Sequence, residues 1–199
     1  MYPPEVLARR ETLPTKPAPV VLRGPRVTLE PLVLDRDVDA LHAISAGDES
    51  LWQYMSGGPF ADAAALRAWL APQVAAADGL PFVVRLGDQP TGVACLIANV
   101  PAHLKIELGS IWYGTAYRRL GISREATALM LGHVFELGYL RAEWKCDAKN
   151  EPSRRAALSY GFQFEGIQDA HYIIKGRRRD TAWFRMLAHE WAGTGSSTM

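Results

Sequence analysis

A basic loop with a single glycine lies where a strand-like segment gives way to an amphipathic helix. The loop reads RRLGIS and runs from Arg118 to Ser123. The first turn of a helix presents unpaired backbone N–H groups and a partial positive charge, and both attract phosphates. Gly121 lacks the Cβ that would hold a ligand away from the backbone. Ser123 can cap the helix, and the two arginines can form charge-assisted hydrogen bonds. The loop therefore favours a pyrophosphate site, and an ordinary solvated turn is the alternative.

Residue spacing excludes two common nucleotide-binding motifs. The chain contains neither G-x-x-x-x-G-K-[ST] nor G-x-G-x-x-G, so neither a P-loop nor a Rossmann fingerprint is predicted. The five histidines lack the spacing of metal ligands, and we predict no metal site. Cys95 and Cys146 both fall within strand-like patterns. Their placement predicts buried, reduced thiols and hence a cytoplasmic protein.

The composition is that of an ordinary globular protein. The length of 199 residues fits one domain, with 48% hydrophobic and 22% charged residues. A net charge of +1 argues against electrostatic binding of nucleic acid. No apolar run reaches the roughly 18 residues of a membrane span, and the first residues lack the apolar stretch of a secretory signal. We therefore expect no membrane association.

Hydrophobic periodicity predicts the elements that position the loop. Apolar runs and alternation predict seven strands, namely Arg26–Leu32, Pro81–Leu86, Thr91–Ala98, Leu104–Tyr113, Arg141–Asp147, Phe162–Ile174 and Thr181–Leu187. Spacing of three and four predicts helices from a cap at Asp35 to Ala46, and over Asp62–Ala77, Ile122–Leu137 and Asn150–Tyr160. This order predicts an α/β fold, a mixed sheet with helices on both faces. Residues 1–23 are predicted to be a proline-rich, extended arm, residues 24–192 the domain and residues 193–199 a flexible tail.

Together these motifs resemble the GNAT superfamily of acyl-CoA-dependent N-acyltransferases. RRLGIS matches the family's pyrophosphate loop, [RQ]-x-x-G-x-[GA], at Arg118 and Gly121, and departs from it at Ser123. The stretch KCDAKNEPSRRAALSYGFQFEG is similar to the RimJ/RimL branch. The matching positions are Asn150, Ser153, Gly161, Phe162, Glu165 and Gly166. The resemblance extends from about Leu22 to Trp191.

The resemblance implies a particular sheet and a CoA site within it. The sheet would be twisted and mostly antiparallel, with about seven strands, and splayed between the fourth and fifth. The CoA pantetheine would pair with the strand edge near Ile111–Tyr113, and the loop would hold the pyrophosphate. The implied cofactor-binding residues are Ile111, Trp112, Tyr113, Arg118, Arg119, Leu120, Gly121, Ile122, Ser123, Asn150, Ser153 and Arg154, with Arg155 as the alternative to Arg154.

The resemblance also implies a chemistry, the direct attack of a primary amine on the acetyl thioester of acetyl-CoA. A base must first remove the ammonium proton, and Glu107 and Glu165 are equal candidates. Strand alternation places Glu107 on the face of Gly109, Ile111 and Tyr113. Many family members carry a tyrosine as the acid, but Ala157 occupies that position. Ser153 is the candidate for contacting the CoA sulfur, and a helix-end hydroxyl bonded to backbone is its alternative.

The acceptor amine would be a protein N-terminus or a small molecule. Trp52, Tyr54 and His171 are the predicted substrate-binding residues, with core packing as the competing interpretation for the aromatic side chains. The basic run Lys175–Arg179 is either a solvated hairpin turn or an attraction for an acidic substrate or partner. A homodimer is expected by analogy only. The alternative function is a non-catalytic acyl-CoA-binding or interaction module on the same fold.

Overall fold

The computed structural model describes residues 2–191 and has one eight-stranded sheet with five helices. The strands are β1 (Leu22–Arg23), β2 (Val27–Pro31), β3 (Leu80–Leu86), β4 (Gln89–Val100), β5 (Lys105–Tyr113), β6 (Arg141–Asp147), β7 (Gln163–Ile174) and β8 (Arg177–Leu187). The helices are α1 (Pro4–Thr12), α2 (Leu34–Ser45), α3 (Ala63–Ala75), α4 (Ile122–Glu136) and α5 (Glu151–Ser159). The strand order is β1-β2-β3-β4-β5-β6-β8-β7, and every pair except β5–β6 is antiparallel. The predicted mixed, mostly antiparallel α/β sheet is confirmed, and β1 adds an eighth short strand.

The sheet separates two apolar clusters. Neighbouring residues of one strand point to opposite faces, so Phe82 and Val83 belong to different clusters. One cluster is covered by α4 and α5, with Met130 and Ala157 buried against the sheet. The other is covered by α2 and α3, which bury residues such as Leu41. Helices therefore cover both faces, as predicted.

The one parallel pair opens partway along its length. β5 and β6 pair at Lys105 with Arg141, at Ile106 with Ala142, and last at Glu107 with Glu143. Both strands continue beyond that last pair, β5 along β4 and β6 along β8. The predicted splay between the fourth and fifth strands is thus present, and with β1 counted it lies between β5 and β6. It leaves a gap whose walls are two strand edges.

A bulge in β5 overturns one prediction. Strict alternation put Glu107 on one face with three later residues, Gly109, Ile111 and Tyr113. Ser110 instead has a φ of +50°, and the β4–β5 register shifts there. Ile111 and Tyr113 therefore pack on the α4 side, whereas Trp112 packs on the α2–α3 side. Glu107 and Gly109 keep a common face, because a Cβ on Gly109 would lie 3.1 Å from Glu107 Oε1.

The N-terminal residues are not an extended arm throughout, since α1 is helical from Pro4 to Thr12. Its prolines occupy the helix start, where a missing N–H costs nothing, so the proline content misled the prediction. After α1 the chain lies against the domain, where the Asn99 side chain donates to the carbonyls of Pro14 and Thr15 at 2.9 and 2.8 Å. The division into arm, domain and tail stays a prediction, and the predicted tail, residues 193–199, lies outside the described residues. Within residues 2–191, no helix is long and apolar enough to cross a membrane.

Candidate active site

The basic loop forms an anion-accepting turn at the start of α4. Gly121, with a φ of +78°, directly precedes the first helical residue, and Arg119 has a φ of +66°. Within residues 2–191, the backbone N–H groups from Arg119 to Ser123 donate to no protein acceptor. Ser123 does not cap the helix as predicted, because Gly121 occupies the cap position and Ser123 lies one residue inside the first turn. The predicted pyrophosphate loop thus has the free donors that an anion needs.

The arginines around the loop differ from the expectation that Arg118 and Arg119 supply its positive charge. Arg118 turns to Asp48, with Nη2 3.2 Å from Oδ2, and the same carboxylate accepts from the Thr115 hydroxyl. Arg26, which the sequence did not single out, donates from Nη1 to the Leu120 carbonyl at 3.2 Å. Its Nη2 would lie 3.2 Å from a Cβ on Gly121. Arg26, the residue before β2, therefore brings a positive charge to the loop.

Arg26 is held in place by the helix that the loop begins. Glu125 accepts from the backbone N–H groups of Arg26 and Val27, at 2.8 and 2.9 Å, and from Arg26 Nε at 3.1 Å. Burial raises the pKa of Glu125, but these hydrogen bonds outweigh it and leave the pKa below its ordinary value. Residue types alone gave no sign of this contact, because 99 positions separate the partners.

The splay presents the edge of β5 toward the gap. Beyond Glu107 the β5 backbone pairs only with β4, so the groups around Ile111, Trp112 and Tyr113 that face away from β4 have no strand partner. The Tyr113 hydroxyl is buried near the Ser123 side chain, and burial raises its pKa. This edge can accept a ligand that offers amide groups, as an added strand would.

Glu107 lies at the last strand pair before the gap and is 5% exposed. Its Oε2 is 2.6 Å from Lys145 Nζ on β6. Burial raises the pKa of Glu107, and Lys145 counteracts part of that rise. Gly109 keeps the space beside this carboxylate free of a side chain. A buried carboxyl with a raised pKa at a cleft has the properties of a general base.

Glu143, which the sequence did not offer as a site residue, faces Glu107 across the strand pair and is 4% exposed. It accepts from Arg141 Nε at 2.8 Å and from Lys105 Nζ at 3.3 Å. Burial raises its pKa, but Arg141 and Lys105 reverse the shift and hold the pKa below the ordinary value. Two carboxyls at the mouth of the gap thus have pKa values displaced in opposite directions. Only the parallel register reveals the pair.

Glu165 is in a different environment from Glu107. Its side chain is 37% exposed on β7, and it forms a two-pronged ion pair with Arg141, in which Nη1 lies 2.9 Å from Oε1. Arg141 also holds Glu143. Glu165 therefore has the surroundings of an ion-pair partner rather than those of a desolvated base.

The N-x-x-S motif holds the start of α5. Asn150 Oδ1 accepts from the Ser153 backbone N–H at 3.2 Å, which caps the helix. Ser153 Oγ accepts from Trp144 Nε1 at 3.1 Å, and its hydroxyl lies close to the buried Cys146 thiol. Arg154 donates to the Ala148 carbonyl at 3.2 Å. Each residue thus has a structural contact, and the cofactor roles of all three stay predictions.

The predicted substrate-binding residues have unequal environments. Trp52 is 1% exposed and packs against Phe60, Trp69 and Trp112 with ring centroids 4.9 to 5.7 Å apart. The core interpretation therefore fits the Trp52 side chain, and its role in substrate binding stays a prediction. Tyr54 is half-buried.

The segment around Trp52 is tied to the tip of the β7–β8 hairpin. Lys175 Nζ donates to the Trp52 carbonyl at 2.7 Å, and Arg177 donates to the Gln53 carbonyl at 3.1 Å. A cavity of about 360 Å³ lies between the two segments. The basic hairpin turn is thus partly engaged with the loop after α2 rather than freely solvated.

His171 lies on β7 beside two aromatic rings. Its ring centroid is 3.9 Å from that of Tyr172 and 5.8 Å from that of Trp183. Burial lowers its pKa, and the neighbouring Lys145 and Arg179 lower it further. Both effects favour the neutral ring, and His171 belongs to the group of residues around Lys145.

Both cysteines are free and buried. Burial raises the pKa of Cys95 to about 12 and also raises the pKa of Cys146. A thiol with a raised pKa is a poor nucleophile, which agrees with the predicted structural role. In the described part of the chain, no three His, Cys, Asp or Glu side chains come close enough to hold a metal ion.

Comparison with known proteins shows which family has this arrangement of strands and loop. The family described as "Acetyltransferase (GNAT) domain" matches residues 26–163. A probable GNAT-family acetyltransferase from Chromobacterium violaceum is 41% identical, with 89% of this chain and 91% of that chain covered and a TM-score of 0.86. A GCN5-related N-acetyltransferase from Brucella melitensis is 39% identical, with 88% and 81% covered and a TM-score of 0.84.

A more distant structure shares the fold alone. The microcin C7 self-immunity acetyltransferase, solved in complex with acetyl-CoA and AMP, is 19% identical over 82% of this chain and 93% of that chain, with a TM-score of 0.74. No curated protein matches the chain. With the splayed strands, the free loop donors and two relatives near 40% identity, the chain belongs to the GNAT family of acetyltransferases.

Proposed function

We propose that the protein transfers the acetyl group of acetyl-CoA to a primary amine by direct attack on the thioester, with Glu107 as the base. One observation carries the proposal. The parallel pair β5–β6 opens at Glu107 and Glu143, and β5 continues from there to Tyr113, ahead of a loop whose backbone N–H groups have no protein acceptor among residues 2–191. A buried carboxyl thereby lies where a strand-edge gap begins.

The loop and the strand edge supply the two ends of a CoA site. The loop N–H groups from Arg119 to Ser123 would hold the pyrophosphate, and Arg26 adds a positive charge to them. The edge around Ile111–Tyr113 would pair with the pantetheine amides. The family membership supports acetyl-CoA as the co-substrate.

The chemistry needs a proton acceptor and a charge-stabilising donor. An ammonium has no lone pair to attack with, so Glu107 takes one proton before or during attack. The amine nitrogen then bonds to the carbonyl carbon, and an N–H donor of the β5 edge stabilises the oxyanion. The C–S bond breaks, and the CoA thiolate takes up the second proton, which the nitrogen loses as the amide forms. Ser153 is the proposed hydrogen-bond donor to the sulfur. The hydrogen bond from Trp144 uses a lone pair of the Ser153 oxygen and not the hydroxyl proton.

The finer identity of the enzyme is also a proposal. We assign it to the RimJ/RimL-like branch on its N-x-x-S and GF-x-x-EG positions. The acceptor is either a protein N-terminus or a small-molecule amine. We further propose that the protein acts in the cytoplasm, as its two free buried cysteines suit, and forms a homodimer.

Titration with acetyl-CoA in a calorimeter, followed by an amine panel scored by thiol release, tests the proposal. We expect binding near micromolar, about −8 kcal/mol, and release of CoA that depends on an amine. Binding without release for any amine would favour a non-catalytic acyl-CoA-binding module. Absence of binding would overturn the proposal itself.

The pH dependence gives a signed prediction for Glu107. The base works only when deprotonated, so kcat/KM should fall as pH drops through its raised pKa. Lys145 lowers that pKa and Glu143 raises it. Lys145→Met should therefore move the acid limb of the profile to higher pH, and Glu143→Gln should move it to lower pH.

Arg67→Met is the control for these profiles, because Arg67 is an exposed cation on α3 that is paired with Asp35. Its acid limb should coincide with that of the wild type. Shifts of the same sign in Lys145→Met and Glu143→Gln would show that another group sets the limb.

A further inference from the structure

Four buried polar atoms near Glu107 have no hydrogen-bond partner among the described residues. They are His171 Nδ1, Arg179 Nε, Thr181 Oγ1 and Trp183 Nε1. More than nine in ten buried polar groups in proteins are paired, so four orphans in two adjacent strands need an explanation. Burying a donor without an acceptor costs free energy, and a bound ligand that accepts the hydrogen bond removes that cost.

The four atoms belong to one surface. Arg179, Thr181 and Trp183 alternate along β8 and therefore face the same side of the sheet. Trp183 is the cross-strand partner of Lys145, whose Nζ lies 4.1 Å from the indole ring centroid. His171 contacts the same ring from β7, with centroids 5.8 Å apart.

Arg179 belongs to the same group through its neighbours. Its strand partner is Tyr172, and its guanidinium carbon lies 5.5 Å from that ring centroid. Tyr172 in turn is stacked on His171 at 3.9 Å. We call Lys145, His171, Arg179, Thr181 and Trp183 the donor cluster.

The missing partner is an acceptor with negative charge. The Nε atoms of arginine and tryptophan only donate. Arg179 forms no ion pair with a carboxylate within residues 2–191, whereas the adjacent Arg178 is bound by Asp180 at 2.7 Å. Asp147, on the same face, directs its Oδ1 to the Lys149 backbone N–H instead, at 2.8 Å.

We propose that the donor cluster binds an anionic oxygen group, a carboxylate or a phosphate, on the amine that is acetylated. The inference rests on the proposed function and narrows its acceptor to amines with an anionic group close to the reacting nitrogen. The anionic group must be close to the nitrogen because the donor cluster adjoins the proposed base. Lys145 lies 2.6 Å from Glu107 and 4.1 Å from the Trp183 ring centroid, so base and anion site are adjacent.

The indole N–H signals of ¹⁵N-labelled full-length protein test this without turnover. The Trp183 signal is identified by its loss in Trp183→Phe. Three probes share an aminoethyl group, namely β-alanine with a carboxylate, 2-aminoethyl phosphate with a phosphate, and β-alaninamide with neither. We expect one or both anions to shift the Trp183 signal at concentrations about tenfold or more below those the amide needs. Comparing the responses to β-alanine and 2-aminoethyl phosphate shows whether the cluster prefers a carboxylate or a phosphate.

Two variants locate the effect. Arg179→Gln should weaken the anion response about tenfold or more, because it removes a charged donor. Arg178→Gln, at an exposed neighbour with its own ion pair, should leave the response unchanged. If Arg179→Gln does not fold, the same comparison is made with Trp183→Phe, monitoring the probe's own signals.

Equal responses to anions and amide, or equal effects of the Arg179 and Arg178 variants, would overturn the inference. A protein that acetylates amines without preferring anionic ones would lose only this inference. A protein that binds the anions but never releases CoA would retain the anion site and lose the proposed acetyl transfer. The two failures are therefore distinguishable.

Discussion

Glu107→Gln should lower kcat by about 10²- to 10⁴-fold, the range expected when a general base is removed. Gln keeps the shape of the side chain and an oxygen that accepts from Lys145, but it cannot take a proton at neutral pH. Glu107 is nearly buried and 2.6 Å from Lys145, so the substitution changes the charge of a defined pair. The affinity for acetyl-CoA should stay close to that of the wild type.

Glu165→Gln is the matched control, because it makes the same chemical change on an exposed strand. Glu165 is paired with Arg141 at the surface, and exposed ion pairs contribute about 0–1 kcal/mol to stability. Its kcat should stay within about twofold of the wild type. Thermal unfolding of both variants and their acetyl-CoA affinities show whether each remains folded.

The two kinetic results together decide the base. A large loss in Glu107→Gln and a small loss in Glu165→Gln is the expected pattern. The reverse pattern would assign the base to Glu165 and make Glu107 a structural partner of Lys145. Little effect from either would show that neither glutamate is the base.

Local sequence patterns predicted the elements well because each element carries its own signal. The alternation over Arg141–Asp147 gave β6 with its observed ends, and the spacing of three and four from Ile122 gave α4 to within one residue. A strand or helix with one apolar face shows that face in its own residues. The splay between two strands was predicted from the family resemblance instead.

The parts that failed depend on contacts or strain that no local pattern records. The Ser110 bulge moved Ile111 and Tyr113 to the opposite face, although the residues themselves alternate regularly. Glu143 became a site residue only through the register of two strands separated by a helix. Arg26 reached the loop through a contact across nearly half the chain.

Gly121→Asp should abolish detectable binding of acetyl-CoA, with an affinity at least about 100-fold below that of the wild type. A carboxylate about 4 Å from a phosphate charge costs about 4 kcal/mol at an effective dielectric constant of 20. Gly121 immediately precedes α4, and its neighbours leave their N–H groups free. A negative charge there would occupy the donors that a pyrophosphate needs.

Gly121→Asn is the control that separates charge from shape. Asn has nearly the size of Asp, and both tolerate the left-handed backbone at a φ of +78° better than other residues with a Cβ. Both are also favourable helix caps, so neither should unfold α4. Asn should weaken binding only through its added side chain, whose Cβ would lie 3.2 Å from Arg26 Nη2.

The difference between the two variants measures what the loop binds. Calorimetric titration with acetyl-CoA should show weak but measurable binding for Gly121→Asn and none for Gly121→Asp. A pyrophosphate is the charged part of the ligand nearest such a loop, so raising the salt concentration should reduce the difference. Equal affinities in the two variants would mean that no anion lies at this helix start. The free N–H groups from Arg119 to Ser123 would then be the solvated end of an ordinary helix, and CoA would have to bind by the strand edge alone.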